Sequence, residues 1–240
     1  MSILSDLSAA DAASLAMSAL GLFAGTLSTF ITMNSKYYED QRQMRTTVGD
    51  LAQKILALRG EEELLNVKAL RGEERTEEFV TARNNNIRTQ LALARLMVDV
   101  LNELKRPASA PEYEVLANVL TTNGDPSDNR YWRMAIARST EKAARLTILA
   151  QYAYAKIRFG RQPEGEQIFI EALALAKGEP VHEGFVHEAR AKALHAIRKL
   201  ADSSSAFDAA DAAYRQIQDE GARDTFLQTL ASARKTLGLG

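Results

Sequence analysis

The sequence predicts an all-α protein, and three observations carry that expectation. All five prolines lie at Pro107 or beyond, so a long stretch at the front keeps every helical hydrogen bond available. Apolar residues recur at helical spacing through most of the chain, and no alternating strand pattern of useful length occurs. The 240 residues suffice for one or two compact domains, and 46% hydrophobic with 25% charged residues is a globular composition. A net charge of −1 supplies no global basic field, so no nucleic-acid partner is expected. The absence of cysteine excludes disulfides, thiolate zinc sites and cysteine nucleophiles.

The first element follows a short tail, residues 1–11. Ala12 to Met33 carries no charge. As a helix it would extend roughly 33 Å, enough for a hydrocarbon core of about 30 Å. Its small residues Ser14, Ser18, Gly21, Gly25, Ser28 and Thr32 fall at spacings of four and three and so form one stripe. In lipid, apolar side chains gain nothing by clustering, and small residues let helix backbones pack closely. The stretch is therefore expected to be a transmembrane helix, 12–33, that self-associates through this stripe; burial in a soluble core is the competing expectation. A signal peptide would need a basic leader, whereas Asp6 and Asp11 precede the run and no Lys or Arg occurs before Lys36. Lys36, Arg42, Arg45, Lys54 and Arg59 follow it. The positive-inside rule then leaves the N-terminus outside and the C-terminal body in the cytoplasm, and Tyr37 and Tyr38 suit the interface.

The second element, 35–106, is expected to be a long helical stalk. Met44, Val48, Leu51, Ile55 and Leu58 form an a/d seam, and Ile87, Leu91, Ala94, Val98 and Leu101 repeat the pattern. Each block is about two heptads, so a coiled coil and an amphipathic helix packing onto its own domain both remain open. "RNNNIR", Arg83 to Arg88, predicts an interruption, with Asn86 capping a helix that starts at Ile87.

The segment 107–111, with Pro107 and Pro111, predicts a linker, and 112–240 a separate helical domain. Apolar periodicity and turn residues place helices near 112–122, 128–159, 163–177, 183–201, 205–218 and 221–237.

Helices of this length with short connections suggest hairpins stacked in series. Within them "YAYAKIRFGRQPEGEQIFIEAL", Tyr152 to Leu173, resembles a tetratricopeptide repeat, in a unit of about 145–178. Ala153 matches the small residue of the first helix, Gly160 the turn, and Gly165 the small residue of the second helix. Phe169, Ala172 and Leu173 follow at the family's spacing. Lys156 departs from the pattern, standing where the family usually has an aromatic. A weaker second unit would use Ala196, Ala210, Tyr214 and Ile217. The resemblance implies a concave, partner-binding groove lined by the first-helix face that carries Tyr154 and Arg158.

Motifs for chemistry are scarce. "HEGFVHE" separates His182 and His187 by five residues, which points them about 140° apart rather than onto one face. No phosphate-binding glycine loop occurs, and no catalytic, cofactor-binding or metal-binding residue is assigned. Arg130, Tyr131, Trp132, Arg133 and Arg138 form a basic-aromatic cluster, expected to be a part-buried tryptophan with snorkelling arginines. The leading expectation is a non-enzymatic, membrane-anchored homo-oligomeric scaffold. Its partners would be membrane lipid, further copies of itself and an unidentified protein at the C-terminal helices. A pore lined by the serine-glycine stripe and a soluble interaction protein with a buried front helix are the alternatives.

Overall fold

The computed structural model describes the backbone of residues 9–70 and 76–239, and the side chains of residues 35–65 and 76–239. These described residues form nine α-helices and no strand. They are α1 (Ala9–Leu70), α2 (Glu77–Glu103), α3 (Ala110–Thr122), α4 (Asp128–Arg138), α5 (Lys142–Arg158), α6 (Gln162–Ala176), α7 (Pro180–Ala196), α8 (Leu200–Tyr214) and α9 (Glu220–Thr236). Consecutive helices pair as four hairpins, α1/α2, α3/α4, α5/α6 and α7/α8, and α9 packs on the last. Among the described residues no helix is long and apolar enough to cross a membrane. The side chains of the expected span, including the stripe from Ser14 to Thr32, lie outside the described residues.

Val48, Leu51 and Ile55 of the expected seam are buried, with Met44 and Leu58 half-buried. They pack within this chain, in one hydrophobic cluster that runs from Val48 through Leu116, Leu149 and Phe169 to Ala193. The predicted boundary at 107–111 therefore bends the chain without dividing its core. The turn is held from both sides. Ser109 and Glu112 form a capping box at the start of α3, and the Lys105 N–H donates to Gln41 Oε1 at 2.9 Å.

Two further expectations are corrected. α2 runs unbroken through Arg83–Arg88 and is capped at Thr76, whose hydroxyl accepts from the Phe79 N–H. Asn86 is buried against α1, where its amide donates to the Leu58 carbonyl at 2.9 Å and accepts from Gln90 at 2.6 Å. A polar side chain with partners across the hairpin has no need to compete for its own backbone. The helix expected over 128–159 is two helices. They are broken at Ser139–Glu141, where Ser139 is buried and extended and the Arg145 guanidinium donates to its carbonyl.

The α5/α6 hairpin explains the small residues at its crossing. A Cβ on Gly165 would stand 2.5 Å from Ile157 Cγ1 and 2.7 Å from the Ala153 carbonyl, closer than packed atoms approach. Gly160 makes the turn at φ +83°, where other residues are strained. Phe169 and Ala172 are wholly buried behind the crossing.

Candidate partner-binding groove

The first helix of each later hairpin, α3, α5 and α7, faces a common hollow that α1 and α2 close at one end. A cavity of about 660 Å³ lies there, lined among others by Arg59, Asn118, Gln151, Tyr154, Arg158 and Phe185. A second, of about 920 Å³, continues between α7 and α9 as far as Leu237. Tyr154 and Lys192 line both, so the two form one groove. Tyr154 is half-buried at its middle, and Arg158 is exposed with its guanidinium 5.8 Å from the Phe159 ring centre. Of the two partner-binding candidates expected from sequence, Tyr154 lies at the junction of the two cavities and Arg158 lines the first alone.

Charge in the groove is partly neutralised. Arg83 lies 3.8 Å from Glu62, and Lys192 is 2.6 Å from Glu188, which also accepts from the Tyr214 hydroxyl. Arg59 and Arg158 make no ion pair among the described residues. Burial pushes the Glu114 carboxyl above its ordinary range, opposed by a hydrogen bond from Gln151 and the nearby Arg59 charge. The lining is therefore mixed: polar amides, a phenol, aromatic and aliphatic surface, and two cations with no carboxylate on them. Such a surface can hold backbone amides and side chains of a peptide segment.

The three histidines sit apart. His182 pairs with Glu179 and His195 with the Leu237 carbonyl at 3.1 Å. His187 keeps Nδ1 buried without a hydrogen-bond partner among the described residues, and burial, with the Arg190 charge behind it, lowers its pKa. No group of three or more potential metal-ligating side chains occurs among the described residues.

A buried polar cluster fixes α5 against the hairpin before it. Asp128, wholly buried at the start of α4, accepts from Lys156 Nζ at 2.9 Å, Arg161 at 3.0 Å and Thr121 Oγ1 at 2.8 Å. Trp132 Nε1 donates to the same Thr121 hydroxyl at 2.8 Å, and its ring stacks on Tyr152 at 5.3 Å. Burial raises the Tyr152 phenol to about 12, and that hydroxyl donates to Asn129 Oδ1 at 2.7 Å. This is the reason for the departure at Lys156: its side chain reaches back into α4 rather than filling a gap with a ring. The basic-aromatic cluster resolves the same way. Trp132 is fully buried, deeper than expected, and Arg133 pairs with Glu171 on α6.

Sequence reasoning missed the best repetition. Asp128, Trp132 and Ala135 on α4 occupy the places of Gly165, Phe169 and Ala172 on α6, and of Ser203, Phe207 and Ala210 on α8. All but Gly165 are wholly shielded from solvent, and Gly165 is buried too. The Ser203 hydroxyl donates to the Ala191 carbonyl at the α7/α8 crossing, where Ala191 matches Ala153. The signal was an aromatic followed three residues later by alanine, recurring on successive second helices. It replaces the second unit expected from Ala196, Tyr214 and Ile217. Ala210 is shared by both alignments but occupies a different place in each, while Tyr214 and Ile217 belong to the end of α8 and the turn after it.

No protein family matches the chain, and neither a curated protein nor a solved structure matches it.

Proposed function

We propose that this chain is a membrane-anchored scaffold whose tetratricopeptide-like hairpins seat a segment of a protein partner in the concave groove. The observation that carries the reading is the continuity of that groove from Arg59 to Leu237, with Tyr154 common to both of its cavities. A surface of amides, aromatic rings and unpaired arginines suits a peptide chain better than a small substrate, since no candidate nucleophile or metal set converges on it. The anchor is the uncharged stretch 12–33, with the N-terminus outside and the body cytoplasmic. Self-association belongs to the same stretch, through the stripe Ser14, Ser18, Gly21, Gly25, Ser28 and Thr32.

Selection of a displayed peptide library on the full chain tests the groove. Peptides recovered on the wild type should lose binding to Tyr154→Ala and Arg158→Glu; peptides that bind these variants equally well would refute it. For the anchor, the full chain should resist an alkaline wash of membranes and a chain lacking residues 1–34 should not. A C-terminal reporter protected outside the cytoplasm would overturn the orientation.

A further inference from the structure

We infer that the corner between α2 and α3, centred on Lys105 and Arg106, docks on anionic lipid headgroups beside the point where α1 leaves the body. The inference rests on the anchored reading above, which sets the height of each residue over the bilayer.

α1 is one helix from Ala9 to Leu70, and Ser35 to Asp40 are exposed, Tyr37 the less so of the two tyrosines at 39% against 59% for Tyr38, so this part of it stands near the end of the hairpin with α2. Gln41 ties this end of α1 to the body by a hydrogen bond, its side chain accepting from the Lys105 backbone N–H. Lys105 then lays its ammonium 5.6 Å from the centre of the Tyr37 ring. Tyr37 is four residues past Met33, about 6 Å of helical rise. The polar layer of one leaflet is roughly 5–8 Å thick, half the difference between a bilayer with and without its headgroups. Folding therefore delivers a cation from far along the sequence to headgroup height.

Other cations gather behind it. Arg45, Arg106 and Arg138, from three separate parts of the chain, line one cavity of about 630 Å³ at the starts of α3 and α5. Arg45 is paired with Glu112 at 2.7 Å, whereas Arg106 and Arg138 are exposed and make no ion pair among the described residues. The carboxylates of the region are Glu39, Asp40, Glu103, Glu141 and Glu112, the last engaged by Arg45 and Ser109. The turn from Leu104 to Pro111 contains none of them. On an ideal helix, at about 100° per residue, Glu39 points away from the side of Tyr37 and Gln41, and Asp40 lies on its flank, about 60° from Tyr37. The corner thus joins the Tyr37 ring to two exposed cations, Lys105 and Arg106, that make no ion pair among the described residues, the pairing that suits a negatively charged interface.

The test uses the full chain with Pro107→Cys, a unique thiol in a sequence without cysteine. The labelled protein is placed in phosphatidylcholine vesicles with or without phosphatidylserine, each containing a lipid that carries a quencher on its headgroup. Quenching should be stronger with phosphatidylserine and fall at high salt. Lys105→Gln with Arg106→Gln should lower the docked-to-undocked ratio roughly 30-fold. Melting curves that match the parent confirm that the variant is folded, and the salt dependence tests docking in the unaltered corner. Quenching equal in both vesicles, or unchanged in the double variant, would overturn the inference.

Flotation separates the two readings. A chain that floats with phosphatidylcholine alone but shows no phosphatidylserine-dependent quenching keeps the anchor and loses the docking corner. Flotation only with phosphatidylserine, abolished in the double variant, keeps the corner and loses the anchor. Flotation with neither overturns both.

Discussion

Lys156 Nζ lies 2.9 Å from Asp128 Oδ2, and both side chains are fully shielded from solvent. The pair joins two hairpins, α3/α4 and α5/α6, across 28 residues of chain. Each ion has further partners. Asp128 also accepts from Arg161 and Thr121, and Lys156 lies 3.5 Å from Glu164 and 5.3 Å from the centre of the Tyr152 ring. Burying two charges costs several kcal/mol each, and only close geometry with additional hydrogen bonds offsets it. The arrangement satisfies that condition, and it places α5, the helix that carries Tyr154 and Arg158, against α4.

Removing Asp128 alone should cost more than removing both members. Asp128→Ala strands Lys156 with only a half-exposed glutamate, so a loss of about 3–5 kcal/mol is expected. Lys156→Met should cost less, because Arg161 and Thr121 still serve Asp128. Combining Asp128→Ala with Lys156→Met should recover part of the loss. Denaturant unfolding followed by emission from Trp132, the only tryptophan, gives the cycle directly. Independent, additive effects would mean that the pair does not join the hairpins.

The crossing of α5 and α6 makes a different demand. Gly165→Ala puts a carbon against backbone at 2.7 Å, which cannot rotate away, so about 1–3 kcal/mol of overpacking is expected. Phe169→Ala empties the space behind it and should cost about 3–5 kcal/mol, as the ring is fully buried. Melting temperatures of the two variants decide this. A Gly165→Ala protein as stable as the parent would show that the helices can separate.

The same elements show what the sequence could reveal. Helical spacing and turn residues were enough for the all-α class and for α6 and α9 to about one residue, whereas the break between α7 and α8 falls at Ile197–Lys199, about five residues before the predicted one, because Asp202 to Ser205 read as a turn and are helical. The glycine at 165 and the ring at 169 exposed one hairpin, because their chemistry is demanded by a close crossing. The hairpin before it stayed hidden because Asp128 takes the place of the small residue, and an aspartate makes sense there only when Lys156 and Arg161 are seen to meet it. The hairpin after it was misaligned by its alanines, which fit several registers alike. Asn86 read as a helix start for a related reason: the carbonyl of Leu58 that it reaches is on another helix. The groove followed from the α5 face, but its closure by Arg59 and Arg83 needed the folded α1/α2 hairpin.

His187 should make stability depend on acidity. Burial holds its pKa below the ordinary value of 6.5, with the Arg190 charge adding to the effect. The unfolded chain takes up a proton near the ordinary value while the native chain resists it. Stability is therefore complete above about pH 6.5 and declines as the pH falls below it toward the lowered native value. His187→Gln should flatten that decline relative to the parent, measured as unfolding free energy at a series of pH values. Identical slopes for the two proteins would show that His187 is protonated as readily in the native state as in the unfolded one.

The fate of the seam on α1 provides the last prediction. Val48, Leu51 and Ile55 could have met a second chain, as in a coiled-coil stalk, or their own domain. In the structure they join the cluster that includes Leu116 and Leu120 on α3 and Met97 on α2. Ile55 is wholly buried, so Ile55→Ala should cost about 2–5 kcal/mol. The partners are in the same chain, so a melt of residues 35–240 should not shift with protein concentration, and the variant should lose the same amount at every concentration. Residues 112–240 alone would lack this cover, leaving the α3 face exposed; they should melt well below residues 35–240 and show less cooperative unfolding. A melting temperature of 35–240 that rises with concentration, with Ile55→Ala abolishing the rise, would instead assign the seam to an interface between chains. Equal stability of 112–240 and 35–240 would restore a domain boundary at 107–111.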